Sequence, residues 1–259
     1  MPSPPTGILD RIVSRKREEL REAVIPGADL RAAAAQLTRR DFAGALRRSG
    51  PAIISEAKKA SPSKGVLVQD FQPAILARQY EEGGAAAMSV LTDRDFFQGS
   101  VAHLQAARAA CRLPVIRKDF TIAEYQILEA AAMGADAILL IAAILDVAEM
   151  RDFRQTAAAF GMASLVEAHN AAEVDAALKS GAEILGVNNR NLNTFQVSLD
   201  TSLELAERIP PGVIRVSESG IFTRDDVMRL QAAGYDAFLV GEHLVKSGDP
   251  AQAIRELVG

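Results

Sequence analysis

One motif recurs four times along the chain, about every 50 residues, and it constrains the fold more than any other feature. Each copy is a glycine followed within a few residues by a short apolar run, and the glycines are Gly84, Gly134, Gly181 and Gly234. Glycine often ends a helix because it tolerates a positive φ angle. A short apolar run has the length of a buried strand. Each copy therefore predicts a junction between a helix and the strand that follows it.

Further apolar runs lie between these motifs and before the first one, at 52–54, 114–116, 163–166 and 213–216, which makes eight predicted strands. Segments with apolar residues three and four positions apart separate the strands, as helices would. Buried strands that alternate with helices are typical of a parallel sheet. Eight such units and the absence of a G-x-G-x-x-G motif favour an α/β fold of the closed (β/α)8 TIM-barrel type over an open sheet.

The first 50 residues carry helical patterns at 8–23, 30–35 and 41–47. This segment is too short to bury an independent core. We therefore expect a single barrel domain over residues 1–259, in which residues 1–50 form an N-terminal helical arm packed on the barrel.

Composition limits the partners. The chain has 33 acidic against 29 basic residues, so its charge gives no reason to expect nucleic acid or an anionic membrane as a partner. Its single cysteine, Cys111, cannot form an internal disulfide, and nowhere do about 18 apolar residues follow one another. We expect a cytoplasmic protein that acts on a small molecule as a monomer.

Polar residues follow almost every predicted strand, where the active sites of such barrels lie. Alternation along a strand predicts that Glu56 and Lys58 face the barrel mouth together, whereas Arg117 and Lys118 face opposite ways. With Glu167 and Glu218, the mouth would hold two lysines and three glutamates. We expect this crowding to lower the pKa of a lysine and to raise that of a carboxyl group.

A simpler alternative applies to each residue alone, because Ser, Asn, Asp and Glu after a strand are common helix caps. Lysine is not a capping residue of this kind, and a charge inside a barrel needs a partner or a ligand. Lys58 and Lys118 are therefore the strongest individual candidates, although Lys58 and Lys59 could also be a solvated pair with one member facing inward.

The loops after strands 1, 7 and 8 suggest an anion site. Residues 60–65 offer hydroxyls and a lysine, and Gly220 and Gly241 stand where backbone N–H groups could approach a phosphate. A single glycine of this kind is more often a simple turn, but two at these strand ends favour phosphate.

Metal chemistry has little support in the sequence. His103, His169 and His243 lack metal-ligand spacing. Glu167 and His169 could supply two ligands from one strand end, but no third ligand is evident, and an acid–base role for Glu167 is favoured. We expect no metal and no organic cofactor.

Seven ordered segments resemble the indole-3-glycerol-phosphate synthase family. They are residues 8–20, 56–65, 91–93 with 96–100, 117–120, 165–167, 186–192 and 217–221. The resemblance covers nearly the whole chain, and the segment 56–65 is its most specific part. The chain departs from the family pattern in one respect, because its N-terminal arm has no tryptophan.

The resemblance implies an enzyme of tryptophan biosynthesis. Its substrate would be 1-(o-carboxyphenylamino)-1-deoxyribulose 5-phosphate, which loses CO2 and water to give indole-3-glycerol phosphate. By position, Lys118 would be the general acid for ring closure, Lys58 would bind the substrate carboxylate, and Glu167 would act as base or acid in dehydration.

Supporting roles follow from the same resemblance. Glu56 would position the lysines, and Asn188 with Glu218 would complete the polar network. The residues expected to surround the phosphate or the sugar hydroxyls are Ser61, Arg190, Ser219, Gly220, Gly241 and Glu242. Those expected to form an apolar slot for the aromatic ring are Phe97, Phe120, Leu139 and Leu192.

Other functions remain open at this point. The chain could be another phosphosugar-barrel isomerase, or a Schiff-base aldolase that uses Lys58 or Lys118 as its nucleophile. It could also be a non-catalytic barrel that binds a phosphorylated metabolite, because a fold does not imply a chemistry.

Overall fold

Eight parallel strands close into a barrel in the computed structural model, which describes residues 7–192 and 194–259. Each strand pairs with its neighbours in the chain, and the first pairs with the last, Ala52 lying opposite Ala237. The strands are β1 Ala52–Ala57, β2 Ala87–Leu91, β3 Val115–Lys118, β4 Ala137–Ile141, β5 Ala163–Ala168, β6 Ile184–Asn188, β7 Ile214–Glu218 and β8 Ala237–Val240. The predicted (β/α)8 TIM barrel is confirmed.

Three helices precede β1, and the others follow the strands and pack outside the sheet. They are α1 Ile8–Glu22, α2 Gly27–Ala35, α3 Phe42–Leu46, α4 Pro73–Glu82, α5 Val101–Ala110, α6 Glu124–Met133, α7 Val147–Ala159, α8 Ala171–Lys179, α9 Asp200–Leu205, α10 Arg224–Ala232, α11 Glu242–Lys246 and α12 Pro250–Val258. Gly134, Gly181 and Gly234, from the recurring motif, have positive φ angles, as expected of glycines that end helices. Within the described residues, no helix combines the length and apolar character that crossing a bilayer requires.

Alternation along the strands divides the core into two parts. Ile53 packs outward in the cluster between the sheet and the helices, whereas Ile54 packs inward with Ile116, Leu165 and Val216 in the barrel interior. Side chains at successive positions point to opposite faces of a strand. The inward residues therefore form a packed floor below whatever lies nearer to the mouth.

The N-terminal arm contacts the barrel in three places. Helix α1 crosses the mouth, where Ile8, Leu9 and Ile12 line its cavity, and α2 packs on α6. Phe42 of α3 belongs to the interior cluster and closes the opposite end. The three helical patterns of the arm are confirmed, with bounds shifted by up to three residues.

A short antiparallel hairpin, Ala60–Ser61 with Gly65–Val66, follows β1. Sequence patterns did not predict this hairpin, because two-residue strands are too short to show a periodicity.

Candidate functional site

Four charged side chains form one layer at the mouth of the barrel. Glu56, Lys118, Glu167 and Glu218 come from β1, β3, β5 and β7, the odd-numbered strands. Each lies two residues after one of the inward apolar residues Ile54, Ile116, Leu165 and Val216. Because residues two apart share a face, the charged layer lies directly above the apolar floor.

Lys118 is the centre of this layer. Its Nζ lies 3.1 Å from Glu167 Oε2 and 3.8 Å from Glu218 Oε2. A second pair lies beside it, where Lys58 donates a 2.6 Å hydrogen bond to Glu56 Oε1. The two lysines and three glutamates that the sequence placed together do lie together.

The charges in this layer change one another's protonation. Burial opposes the charged form of Lys118, but Glu167, Glu218 and Glu56 together raise its pKa above the ordinary value. Our expectation of a lowered lysine pKa is therefore wrong for Lys118, because the carboxylates around the ammonium outweigh the loss of solvent.

The two glutamates beside Lys118 shift in opposite directions. Burial and the negative charge of Glu167 raise the pKa of Glu218 to about 8. The pKa of Glu167 falls well below its ordinary value, because Lys118 and His169 overcome the effect of burial. The layer thus holds the ammonium of Lys118, the carboxylates of Glu56 and Glu167, and the carboxyl group of Glu218, which is mostly protonated at neutral pH. The predicted rise of a carboxyl pKa is confirmed at Glu218.

Two glycines leave room for this layer. A Cβ atom at Gly186 of β6 would overlap Oε1 of Glu218, and one at Gly241 would lie 2.6 Å from Glu56 Oε1. Real Cβ atoms do not approach oxygen atoms so closely. Gly241, which the sequence suggested for a phosphate, thus also makes space for a carboxylate.

A single cavity opens above the charged layer, and it brings together most of the predicted site. The predicted residues that line it are Glu56, Lys58, Ser61, Phe97, Lys118, Phe120, Leu139, Glu167, Asn188, Arg190, Leu192, Glu218, Ser219 and Glu242. Gly220 and Gly241 do not line it. Gly220 instead faces Val197, whose side chain lies close to the position that a Cβ atom of residue 220 would occupy. The φ angle of Gly220 is positive, at 79°.

The cavity has an apolar side and a polar side. The rings of Phe97 and Phe120 lie 6.1 Å apart between centroids, and Leu139 and Leu192 also line the wall. Asn188 accepts a 3.0 Å hydrogen bond from the backbone N–H of Arg190, which shapes the loop after β6. The cavity can therefore take a flat ring beside anionic groups.

Several lining residues were missed by sequence reasoning. Ile8, Leu9 and Ile12 of the arm cover the cavity. Lys64, the lysine that the sequence suggested for an anion, also lines the cavity and donates a 2.7 Å hydrogen bond to Glu242. The apolar face of α1 was visible in the sequence, but its partner was not. No local pattern indicates which surface an amphipathic helix will cover.

A buried lysine anchors α1 across the mouth. Lys16 is only 2% exposed, and its Nζ lies 2.8 Å from Asp93 Oδ2 and 3.0 Å from Asp119 Oδ1. Asp119 directly follows the central Lys118 in the chain. Helix α1 of the arm is thus linked to the charged layer, because its partner Asp119 is adjacent to Lys118 in the chain. Arg117, as predicted, faces away from Lys118 and pairs with Asp119 at 3.2 Å.

His169 stands behind the charged layer. Its Nε2 lies 3.3 Å from Glu167 Oε1, and its Nδ1 lies 2.9 Å from Glu173 Oε2. These two carboxylates raise the pKa of His169 to about 10 despite its burial. Sequence analysis weighed His169 only as a metal ligand. Among the described residues, no group of three or more His, Cys, Asp or Glu side chains is arranged to hold a metal.

The arrangement combines the elements of acid–base catalysis. An ammonium that can donate a proton lies beside a carboxylate that can accept one, within a largely buried layer. The lining offers cations for anionic groups and apolar walls for a ring.

Solved structures share this fold at low sequence identity. Thiamine phosphate pyrophosphorylase from Pyrococcus furiosus aligns with a TM-score of 0.61 at 18% identity, covering 82% of this chain and 95% of that one. The 3-hexulose-6-phosphate synthase of Salmonella typhimurium aligns with a TM-score of 0.63 at 14% identity, covering 80% and 96%. At such identities these likenesses show the barrel fold alone.

Sequence relatives are much closer. The indole-3-glycerol phosphate synthase of Aromatoleum aromaticum is 54% identical over 259 residues, which cover 97% of this chain and 99% of that protein. The protein of the same name from Dechloromonas aromatica is 52% identical over 257 residues, covering 96% and 98%. The family profile described as indole-3-glycerol phosphate synthase matches residues 9–257. With its charged layer, covered cavity and near-complete alignment to these relatives, the chain belongs to the indole-3-glycerol phosphate synthase family.

Proposed function

We propose that the chain catalyses the ring closure for which its family is named. It converts 1-(o-carboxyphenylamino)-1-deoxyribulose 5-phosphate to indole-3-glycerol phosphate, with release of CO2 and water. The observation that carries this proposal is the position of Lys118, 3.1 Å from Glu167 and 3.8 Å from Glu218 in a layer that faces a partly apolar cavity. The match to the family over nearly the whole chain supports it.

Ring closure begins at Lys118. The ring carbon that bears the carboxylate attacks the ketone carbon, and Lys118 gives its proton to the ketone oxygen, which becomes a hydroxyl. The carboxylates of Glu167 and Glu56 keep the ammonium protonated before the reaction. Placement of an acid of this kind accelerates a reaction by about 10²- to 10⁴-fold.

Decarboxylation and dehydration follow. The bond to the carboxylate breaks, and its electrons restore the aromatic ring. Glu167 takes the proton from the carbon next to nitrogen and passes it to the departing hydroxyl, which leaves as water. Glu167 is therefore a carboxylate again when the product has formed. Once Lys118 has donated its proton, the charge that depresses the pKa of Glu167 is gone, so Glu167 becomes a stronger base when it is needed.

The remaining predicted roles are distributed over the cavity. Lys58, held by Glu56, binds the substrate carboxylate and assists departure of the hydroxyl. Glu218 and Asn188 complete the polar network around the reacting groups. The apolar slot of Phe97, Phe120, Leu139 and Leu192 holds the aromatic ring, with the arm residues above it.

The phosphate end is assigned to the loops after β1, β6, β7 and β8. The lining residues proposed to surround the phosphate and the sugar hydroxyls are Ser61, Arg190, Ser219 and Glu242, and Gly220 and Gly241 stand beside them in the same loops. Arg190 supplies a guanidinium at this end, and Ser61 and Ser219 supply hydroxyl groups on the cavity lining.

The alternatives are less well supported. A Schiff-base aldolase needs a neutral lysine, whereas the surrounding carboxylates hold Lys118 in its charged form. We further propose that the enzyme acts as a monomer, because Ile8, Leu9 and Ile12 of its own arm already cover the cavity. A reducing compartment such as the cytoplasm suits a chain with one cysteine.

An assay of indole fluorescence tests the function directly. The chain contains no tryptophan, so indole formed from the carboxyphenylamino sugar phosphate is seen against a low background. We expect fluorescence to rise with release of one CO2 per indole. No product from a folded sample would overturn the function, and a lysine adduct trapped by borohydride would favour the aldolase.

A further inference from the structure

The proposed reaction consumes one proton in each turnover. The substrate carries an ionised carboxylate, and this group leaves as neutral CO2. Dehydration takes up one proton at the hydroxyl and releases one from carbon, so these two cancel. The proton that Lys118 gives to the ketone oxygen is therefore not returned by the substrate. Lys118 must regain a proton from solvent before the next cycle.

Direct access of solvent to Lys118 is restricted. The side chain of Lys118 is 15% exposed and that of Glu167 only 3% exposed. Helix α1 covers the same cavity from above. A bound substrate would fill the space that remains on this side. A path along the rim, at the carboxyl end of β5, would supply a proton without opening the mouth.

Such a path leads outward from Lys118. Lys118 Nζ lies 3.1 Å from Glu167 Oε2, and the other oxygen of this carboxylate, Oε1, lies 3.3 Å from His169 Nε2. His169 Nδ1 lies 2.9 Å from Glu173 Oε2 at the start of α8. Each step joins groups that exchange protons, over distances that allow direct transfer.

The outer end of the path reaches a second cavity. His169, Asn170, Glu173 and Arg190 line it, and Gln196, also on its lining, is exposed at the surface. The charged groups that face His169 are Glu167 from β5 and Glu173 from α8, with Arg190 on the far lining. Asn188 and Arg190 line both cavities, whereas His169 and Glu173 line only the second one. Solvent in the second cavity can therefore reach the imidazole beside the proposed phosphate end.

The inner contact of His169 leaves its proton free to move. Nε2 is buried and makes no hydrogen bond of regular geometry to any described residue, although Glu167 Oε1 is 3.3 Å away. The outer contact is tighter, since Glu173 also accepts a 2.8 Å hydrogen bond from the backbone N–H of His169. Glu173 thus holds the ring in place, and Nε2 remains available to Glu167.

We propose that His169, held by Glu173, is a proton relay that restores the proton of Lys118 through Glu167 after each turnover. This inference rests on the proposed function. The imidazolium gives its Nε2 proton to Glu167, and rotation of the carboxyl group presents that proton to the neutral amine of Lys118. The ammonium and the carboxylate are restored, and the neutral imidazole takes one proton from solvent at the second cavity.

A comparison of single and repeated turnovers tests the relay. In His169→Gln, the first turnover uses the proton already on Lys118, so with enzyme in excess its rate stays within about threefold of the wild-type rate. Repeated turnover falls by about tenfold or more, within the range of proton-transfer effects. The progress curve should then show a burst of one product per enzyme. A merely structural role would slow both phases alike.

Chemical rescue and a matched control complete the test. In His169→Ala, added imidazole should restore repeated turnover, because it can enter from the second cavity. The control is His103→Gln. His103 lies on α5 and packs against Phe71, and its replacement should change neither phase. Circular dichroism and thermal unfolding verify that each variant is folded.

The outcomes separate the two proposals. If the wild-type chain forms no indole product, the proposed function fails. If the wild-type chain turns over and His169→Gln does so at the same steady rate, the relay alone is wrong. A burst that is absent, or a loss in His169→Ala that imidazole does not reverse, also overturns the relay.

Discussion

At the scale of single residues, the site depends on the alternation of side chains along a strand, which repeats every two residues. Glu56, Lys118, Glu167 and Glu218 each follow an inward apolar residue by two positions, so the strands turn all four charges into one layer. Each charge alone would be costly to bury, but the layer pairs the ammonium with carboxylates. Its net protonation is therefore a property of the group rather than of any one member.

Removing the central acid or base should abolish most of the activity. We expect Lys118→Ala and Glu167→Gln each to lower kcat by about 10²- to 10⁴-fold, because each removes one proton-transfer group. Lys179→Ala and Glu207→Gln, which change exposed residues of the same types, should leave kcat unchanged. Steady-state indole fluorescence measures both. Wild-type turnover in Lys118→Ala and Glu167→Gln would contradict the assigned roles.

Glu218 should make stability depend on pH. Its pKa is raised to about 8 in the folded chain, against an ordinary value near 4.5. Between these values the unfolded chain binds fewer protons than the folded one, so this group lowers the free energy of unfolding as pH rises. The Glu218→Gln side chain cannot ionise. We therefore expect the free energy of unfolding of this variant to decline less steeply than that of the wild type between about pH 5 and about pH 8.

Urea denaturation across this pH range measures the difference. Glu207→Gln serves as the control, since Glu207 is exposed and its removal should leave the wild-type slope in place. An identical slope in Glu218→Gln and the wild type would show that Glu218 is ionised throughout the range.

Gly186 should be required for activity because of the space beside it. A Cβ atom there would overlap Glu218 Oε1 and lie 3.2 Å from Leu165 Cδ1, so Gly186→Ala must displace the carboxyl group. We expect kcat to fall about tenfold or more, as for other displaced catalytic groups. Gly248→Ala is the control, because nothing lies within 4 Å of its Cβ position. Equal activity of the two variants would reject this interpretation.

At the scale of elements, helix α1 completes the site. Its apolar residues cover the cavity, and Lys16 ties it to the ends of β2 and β3 through Asp93 and Asp119. The amphipathic pattern of α1 predicted a packed helix, but the same pattern would suit the outside of the barrel. The buried ion pairs of Lys16 with Asp93 and Asp119 hold α1 at the mouth, because only there can Lys16 reach both carboxylates.

Lys16→Met should loosen the arm. It leaves Asp93 and Asp119 without their buried cation, and loss of one partner in such a network costs about 3–5 kcal/mol. We expect a matching fall in the free energy of unfolding, and a raised KM because the cover of the cavity is less ordered. Arg15→Met, which removes an exposed pair with Asp95, should have a much smaller effect on both. Equal effects would show that Lys16 does not anchor the arm.

At the scale of the whole molecule, closure of the barrel joins its first strand to its last. Strand β1 pairs with β8, and the C-terminal α12 packs on α4. We propose that the arm and the barrel form a single domain, as their shared core contacts through α3 suggest. A single, coincident unfolding transition by circular dichroism and calorimetry would support this.

Ile254 of α12 tests the role of this closure. It is fully buried beside Gly83 of the α4 terminus, so Ile254→Ala should lower the free energy of unfolding by about 2–5 kcal/mol. Ile75→Ala, at a position that is 45% exposed, should cost far less. Because Ile254 is far from the charged layer in the fold, kcat of the folded variant should not change. Urea denaturation and the indole assay together measure both effects.

Local sequence patterns are sufficient to predict the barrel and most of the residues at its mouth. Strand alternation, helix periodicity and the recurring glycines are local patterns, and the polar residues after each strand stand at fixed positions within them. Parallel closure then brings those strand ends together whatever the details of packing. This is why the sequence alone predicts Lys58, Lys118 and Glu167 at one cavity.

Features that depend on distances between remote residues follow from the folded chain and not from local patterns. The position of α1, the pairing of Lys64 with Glu242 and the contact of His169 with Glu167 have no local signal. The raised pKa of Lys118 has none either, because it results from the balance between lost solvent and three carboxyl groups on separate strands. Electrostatic energies fall with distance and rise with burial, and both are set by packing of the complete chain.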